Sequence, residues 1–343
     1  MATVTLEMQR AIATRAQLTT IDTSPRTLTR GTHYHVRRLF KVLQGLPQLL
    51  RARIYGARVL YMPLDEGLGG IWNLAFLILA RATGMRLFLH HHSFRYISER
   101  THLMAAIVAV AGRDACHIAL CPAMARYLHM LYPGIATSIV APNPVQPPPT
   151  ASTPPSPTER PTIGMLANLT FEKGVDTFVA LVESMPDVDA ILAGPADAEV
   201  AQFIEAAVVR LHPRLTWLGP VAGEEKERFF GQIDVFVFPT RYRTEAYPLV
   251  LAEALTRGAA VIAPDRGCIG ALAVLAAVEV IDRESDFVAQ AVDRLRVRFA
   301  DQADPVLRRA RVRDEGAALN RTNAVIREQL VAVIAAAGLT SGR

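Results

Sequence analysis

Cysteine is scarce: only Cys116, Cys121 and Cys268 are scattered through 343 residues. That is too few, and too widely spaced, for a disulfide framework or a cysteine-rich zinc site, and such usage suits a reducing cytosol. Long apolar runs are missing as well. Residues 71–80 and 271–278 are the longest apolar stretches, and both fall short of the ~18 to 20 residues that a membrane span needs. The first residues carry no basic, apolar, small-residue leader pattern, so the reading is of a cytoplasmic protein that does not cross a membrane. No Gly-x-Gly-x-x-Gly follows any strand-like run, which argues against a dinucleotide-dependent dehydrogenase. Lysine is almost absent from the first part of the chain: residues 1–145 hold 16 Lys and Arg, with Lys41 the one lysine, against 6 Asp and Glu.

The rest of the composition is that of an ordinary globular protein, 51% apolar and 20% charged, with length enough for two domains that each bury a core. The net charge of +5 hides a basic first part and an acidic remainder. A basic half can face nucleic acid, anionic lipid or a phosphate-bearing substrate, or can simply be a solvated surface.

Strand-like and helix-like segments alternate along the chain, the pattern of doubly wound parallel sheets. Residues 1–18 read as helix, residues 18–22 as a short strand, and residues 34–50 as a basic helical segment. Strands are expected at 58–62, 85–93, 117–121 and 138–143. The strand at 85–93 runs into His90, His91 and His92. Period-two alternation puts His90 and His92 on one face and His91 on the other. A zinc site would want further ligands nearby and only Ser93 and Glu99 follow, so the alternatives are a ligand-facing tract or hydrogen-bonded strand-end histidines. Residues 141–162 then hold nine prolines among Ala, Thr and Ser, a semi-rigid linker in composition. Beyond it, strands are expected at 162–167, 189–194, 215–219 and 235–239, with a closing helix over 320–337. Asp187-Val-Asp189 sits before a strand rather than after one, the wrong end for a ligand site, and reads as turn chemistry.

The stretch from Pro239 to Gly258 organises the second half. Pro248 suits a helix start and Gly258 the position past its end. The segment between, with Leu249, Val250, Leu251, Ala252, Ala254 and Leu255, leaves almost no polar face. Glu253 is then expected as a charge inside the fold, where a carboxylate needs a partner. The order is an apolar strand ending in Pro239-Thr240, then Glu245, then Glu253 eight residues on, then Gly258 and the run Ala259-Ala-Val-Ile-Ala-Pro264.

This order resembles the retaining glycosyltransferases of family 4, with their paired glutamates (E-x7-E). The resemblance implies the GT-B fold: α/β, two Rossmann-like doubly wound domains facing a cleft. It divides the chain into an acceptor-side domain at 1–145, a proline-rich linker at 146–160, a nucleotide-sugar domain at 161–317 and a helix at 318–343 that returns to the first domain. It also implies that the first strand and glycine-rich loop usual in the amino-terminal domain are absent here. The activity implied is transfer of a hexosyl group from a nucleotide diphosphate sugar to a hydroxyl, without metal or other cofactor, in polysaccharide assembly. The partners are then the sugar donor and a glycan or lipid-linked acceptor, with peripheral contact at the inner membrane surface and no nucleic acid. Carried onto this sequence, Lys173 and Gly174 match the family's Lys-Gly beside the donor diphosphate, while Asn168 stands where an arginine is usual. Arg241 or Arg243 would have to replace that cation. Glu253 would take the ribose hydroxyls, Glu245 those of the sugar, and the amides of Leu249 and Val250 the phosphate. His92, with His90 as second choice, would lie beside the transferred sugar. The departure at Asn168 keeps a second expectation in play, a degenerate member that binds nucleotide or sugar without transfer.

Overall fold

The computed structural model describes residues 2–24, 32–67, 69–145, 160–300 and 304–339. The proline-rich linker expected at 146–160 lies, but for its last residue, outside them. Two units separate, the first made of Met1–Pro142 with Val325–Arg343, the second of Asn143–Ala324.

The first unit runs α1 (Ala2–Ala13), α2 (Thr32–Ile54), β1 (Val59–Leu64), α3 (Gly69–Ala82), β2 (Arg86–His91), α4 (Arg95–Ser98), α5 (His102–Ala111), β3 (Cys116–Ala119), α6 (Pro122–Leu131) and β4 (Thr137–Val140). Its four strands lie in chain order and pair in parallel, so each connection must cross over the sheet, and helices do so. Local chemistry starts them: the Thr101 hydroxyl accepts from the Met104 amide at 3.2 Å ahead of α5, and Pro122 opens α6. The expected strand at 18–22 does not form; those residues are irregular. Leu18 and Ile21 supply β-forming side chains, but among the described residues no neighbouring strand offers them a ladder.

The second unit runs β5 (Thr162–Leu166), α7 (Val175–Glu183), β6 (Asp189–Ala193), α8 (Ala198–Leu211), β7 (Leu215–Trp217), α9 (Gly223–Gln232), β8 (Val235–Val237), α10 (Leu249–Thr256), β9 (Ala260–Pro264), a 3-10 turn at Ile269–Leu272, β10 (Val278–Ile281), α11 (Phe287–Ala300) and the start of α12 (Pro305–Leu339). The six strands are ordered β10-β9-β8-β5-β6-β7 and are parallel throughout. Every residue of β8 and β9 is buried, as expected of strands covered on both faces. Phe229 and Phe230 of α9 close over Phe236 of β8, with ring centroids 6.5 and 6.1 Å from it.

Helix α12 is longer than the 320–337 segment read from sequence. It is the one described helix long and apolar enough to cross a membrane by length and composition. Its last turns are committed elsewhere: Leu330, Val331, Ile334 and Ala337 are buried with Met8, Ile12, Phe88 and Ile118 in the core of the first unit.

Candidate functional site

In the second unit the strand order reverses between β5 and β8, since β6 and β7 extend one way and β9 and β10 the other. The crevice at the carboxyl ends of such a strand pair is where open α/β sheets bind ligands. Lys173 stands on the loop leaving β5 and Glu245 on the loop leaving β8, and they meet there: Lys173 Nζ is 2.5 Å from Glu245 Oε2. Glu245 is buried, the Thr240 hydroxyl lies 3.4 Å from the same oxygen, and the Lys173 ammonium rides 4.7 Å above the Tyr242 ring and 5.5 Å from Phe238.

Two glycines hold these loops by allowing backbone to touch backbone. Gly174 has φ +87°, and a Cβ there would stand 2.1 Å from the Pro239 carbonyl oxygen. Gly267 has φ +57°, and a Cβ would meet the carbonyls of Glu245 and Ala246 at 2.1 and 2.6 Å. No side chain fits at either place. The Cys268 amide adds a hydrogen bond to the Ala246 carbonyl at 2.7 Å.

Glu253 is not the enclosed charge that its apolar surroundings suggested. Leu251, Ala252, Ala254 and Leu255 are buried, while Leu249, Val250 and Glu253 lie together on the half-buried face of α10. Glu253 Oε1 pairs with Lys226 Nζ of α9 at 2.8 Å, a partner that no motif marks because the two residues meet only through the fold. Pro248 precedes the helix as its cap rather than opening it, so Leu249 and Val250 supply the first two amides of α10.

Asn168 is exposed on the loop after β5. Arg241 does not compensate for it: its guanidinium is turned to α7, bonded to both Asp176 oxygens at 2.9 and 3.0 Å, to the Thr177 hydroxyl at 2.7 Å and to the Phe171 carbonyl at 2.5 Å. That geometry anchors the 168–174 loop to the first turn of α7. Arg243 is exposed.

In the first unit, β2 delivers its histidines to two different environments. The rings of His90 and His92 lie 4.1 Å apart, and His90 Nδ1 is 2.6 Å from the Tyr61 hydroxyl. The other face holds His91, whose Nε2 is 2.9 Å from His117 Nδ1 and whose Nδ1 is 3.3 Å from the Tyr96 hydroxyl. The Nε2 atoms of His90, His92 and His117 are buried without a hydrogen-bond partner. Burial pulls His92 and His117 down to about 4, and holds His90 and His91 well below the usual imidazole range. All four rings are therefore neutral at neutral pH. Among the described residues no three His, Cys, Asp or Glu side chains form a metal-ligating group. Tyr61 and His117 carry no sequence signal of their own.

Set against known proteins, residues 160–297 match the family described as glycosyl transferases group 1. No curated protein matches the chain. Among solved structures, sucrose-phosphate synthase from Thermosynechococcus elongatus is 16% identical, with 96% of this chain and 92% of that one covered and a TM-score of 0.69. HepE from Anabaena, in complex with UDP and glucose, is 16% identical over 90% of this chain and 84% of that one, with a TM-score of 0.64. WaaG, a glycosyltransferase involved in lipopolysaccharide biosynthesis, is 13% identical over 97% and 95%, also with a TM-score of 0.64. The two parallel sheets and these neighbours together give the chain the GT-B glycosyltransferase fold, and the segment similar to group 1 glycosyl transferases is the one that carries Lys173, Glu245 and Glu253.

Proposed function

We propose that the protein is a cytoplasmic, retaining glycosyltransferase that moves a hexosyl group from a nucleotide diphosphate sugar to a hydroxyl of a glycan or lipid-linked acceptor. The observation that carries this reading is the meeting of Lys173 with Glu245 at the strand-order reversal, 2.5 Å apart. One offers a cation to a leaving diphosphate and the other an acceptor for sugar hydroxyls, and a single ligand bearing both groups would take the place of each for the other. The match of this segment to group 1 glycosyl transferases supports it, as does HepE, a neighbour in fold that holds UDP and glucose.

In this mechanism Glu253 accepts from the ribose hydroxyls, turning from Lys226, and the amides of Leu249 and Val250 bind phosphate at the start of α10. Arg243 supplies a second cation. His92, neutral because burial holds it at about 4, acts on the acceptor side through an uncharged ring, and its unpartnered Nε2 can accept or donate one hydrogen bond beside the sugar. His90 fixes the ring next to it. The chain then needs neither a nucleophile of its own nor a metal: positioning plus charge placed against the departing phosphate contribute about 7 kcal/mol or more.

The test is a panel of nucleotide sugars with nucleotide release as readout and thermal shift in parallel. Release by the wild type, cut on the order of 100-fold in Glu245→Ala with folding retained, is the expected result; full activity in that variant removes Glu245 from the site. A second reading is favoured by one observation, the exposed Asn168 where the family has an arginine. It is a protein that binds the donor without transfer, and it predicts stabilisation by donor with no release.

A further inference from the structure

Arg266 lies just past the carboxyl end of β9, half-buried, on the same edge of the sheet as Lys173 and Glu245. The next residue is Gly267, the one pressed against the Glu245 and Ala246 carbonyls. Consecutive Cα atoms stand about 3.8 Å apart, so Arg266 is built into the wall of the loop that carries Glu245. Its backbone is held there, since its carbonyl accepts from the Ile269 amide at 2.9 Å and the Cys268 amide bonds Ala246. Its side chain has no such anchor. Among the described residues Arg266 Nε is buried without a hydrogen-bond partner. A buried N–H left open in a native structure points to an ion, a water or a ligand that completes it.

The surroundings make this a poor place for an unanswered cation. Burial first, then the like charge of Arg283, holds the guanidinium below its ordinary value; Arg241 and Arg243 add to this, and Glu284 opposes it. It stays charged all the same. The acids close by have other work. Asp176 is bonded to Arg241 at 2.9 Å and Glu284 to Arg283 at 3.2 Å. Asp265 leans over the 3-10 turn, where a Cβ at Gly270 would meet its Oδ1 at 2.4 Å.

Charge balance then says which anion fits. Lys173 and Glu245 cancel, as do Lys226 and Glu253, so neither pair brings net positive charge to a diphosphate, which is ionised on both phosphates. An arginine with an open Nε–H presents a fork that can take two phosphate oxygens at once. We propose that Arg266 is a diphosphate-binding residue of the donor site, a fixed cation set against the leaving phosphates beside Lys173. This rests on the reading of the crevice as a site for a nucleotide diphosphate sugar.

Isothermal titration of the whole protein with uridine, guanosine, adenosine and thymidine diphosphates tests it. The wild type should bind at least one of them, and Arg266→Gln should weaken that binding at least ~10-fold. Arg266→Lys, which keeps the charge and loses the fork, should recover part of the loss. Arg283→Gln is the control for the general positive field: it removes an exposed, paired charge from the same edge and should stay within about 2-fold of the wild type. The melting temperature of Arg266→Gln should hold or rise, because a like charge leaves a crowd of arginines; a purely structural arginine would lower it. Unchanged affinity in Arg266→Gln, with the wild type still binding and releasing nucleotide, overturns this proposal alone. So does an equal loss in Arg283→Gln, which would make the effect one of field rather than contact. Failure of the wild type to bind any of the four overturns it together with the transfer reading.

Discussion

At Glu245 one carboxylate oxygen already serves both Lys173 and the Thr240 hydroxyl, so the pair is a coupled unit and should behave as one. Glu245→Ala leaves the Lys173 ammonium over the Tyr242 and Phe238 rings with its strongest partner gone, at a cost of about 1–3 kcal/mol. Lys173→Met strands the buried carboxylate and should cost a similar amount. The double variant should lose less than the sum of the two, and a double-mutant cycle from urea melts measures the difference. Asn168 offers a gain rather than a loss. It is exposed, so Asn168→Arg should fold normally and, with a forked cation beside the diphosphate, tighten nucleotide-sugar binding by on the order of 10-fold. Isothermal titration with the donor found in the panel gives the answer, and unchanged affinity would mean that this loop stays clear of the phosphates.

Among the elements, the loop carrying Glu245 is positioned by Gly267 rather than by its own sequence. Gly267→Ala must push a methyl into the carbonyls of Glu245 and Ala246, so we expect a loss of at least ~2 kcal/mol in thermal unfolding together with weaker donor binding. Gly56 is a fair control: its φ is +102° but nothing lies within 4 Å of an added Cβ, so Gly56→Ala should show only the conformational part. The strand-end histidines make a different prediction. Their folded pKa values lie below the unfolded 6.5, with His92 and His117 at about 4. Between those values the unfolded chain binds more protons than the folded one, so stability falls as pH drops from about 6.5 toward 4 and is level above. Each such ring contributes up to about 1.4 kcal/mol per pH unit in that window. The His91–His117 contact sharpens this, since two protonated rings would place N–H against N–H across 2.9 Å. Urea melts at stepped pH should show the slope, and His117→Gln should reduce it.

For the whole molecule, alternating apolar runs made two wound sheets legible, because a parallel strand covered on both faces must read as a short greasy run between helices. The three histidines could be singled out because they close a strand, whose end is where such sheets present side chains, whereas Lys173 and Glu245, seven and eight residues beyond β5 and β8, were marked by the Lys-Gly and E-x7-E patterns of the family that the chain resembles. What stayed hidden depends on tertiary neighbours. Lys226 beside Glu253, Asp176 holding Arg241, and His117 beside His91 are pairs far apart in the chain. The apolar residues at 18–22 looked like a strand because propensity ignores whether a partner strand exists. The reach of α12 was underestimated because its polar first half obscures the helical period. That helix gives a last prediction: Leu330 is buried in the first unit's core, so Leu330→Ala should destabilise that unit by about 2–5 kcal/mol. Amide exchange would show faster exchange in β2 and β3 with little change in β5 and β6.

The same helix sets an order of events on the ribosome. Residues 325–339 emerge after nearly everything else, yet four of them belong to the core that Met8, Ile12 and Phe88 began. The segment synthesised first must therefore wait, incompletely covered, while the second sheet is made and can close ahead of it. Nascent chains stalled before residue 325 should show protease resistance only beyond residue 160.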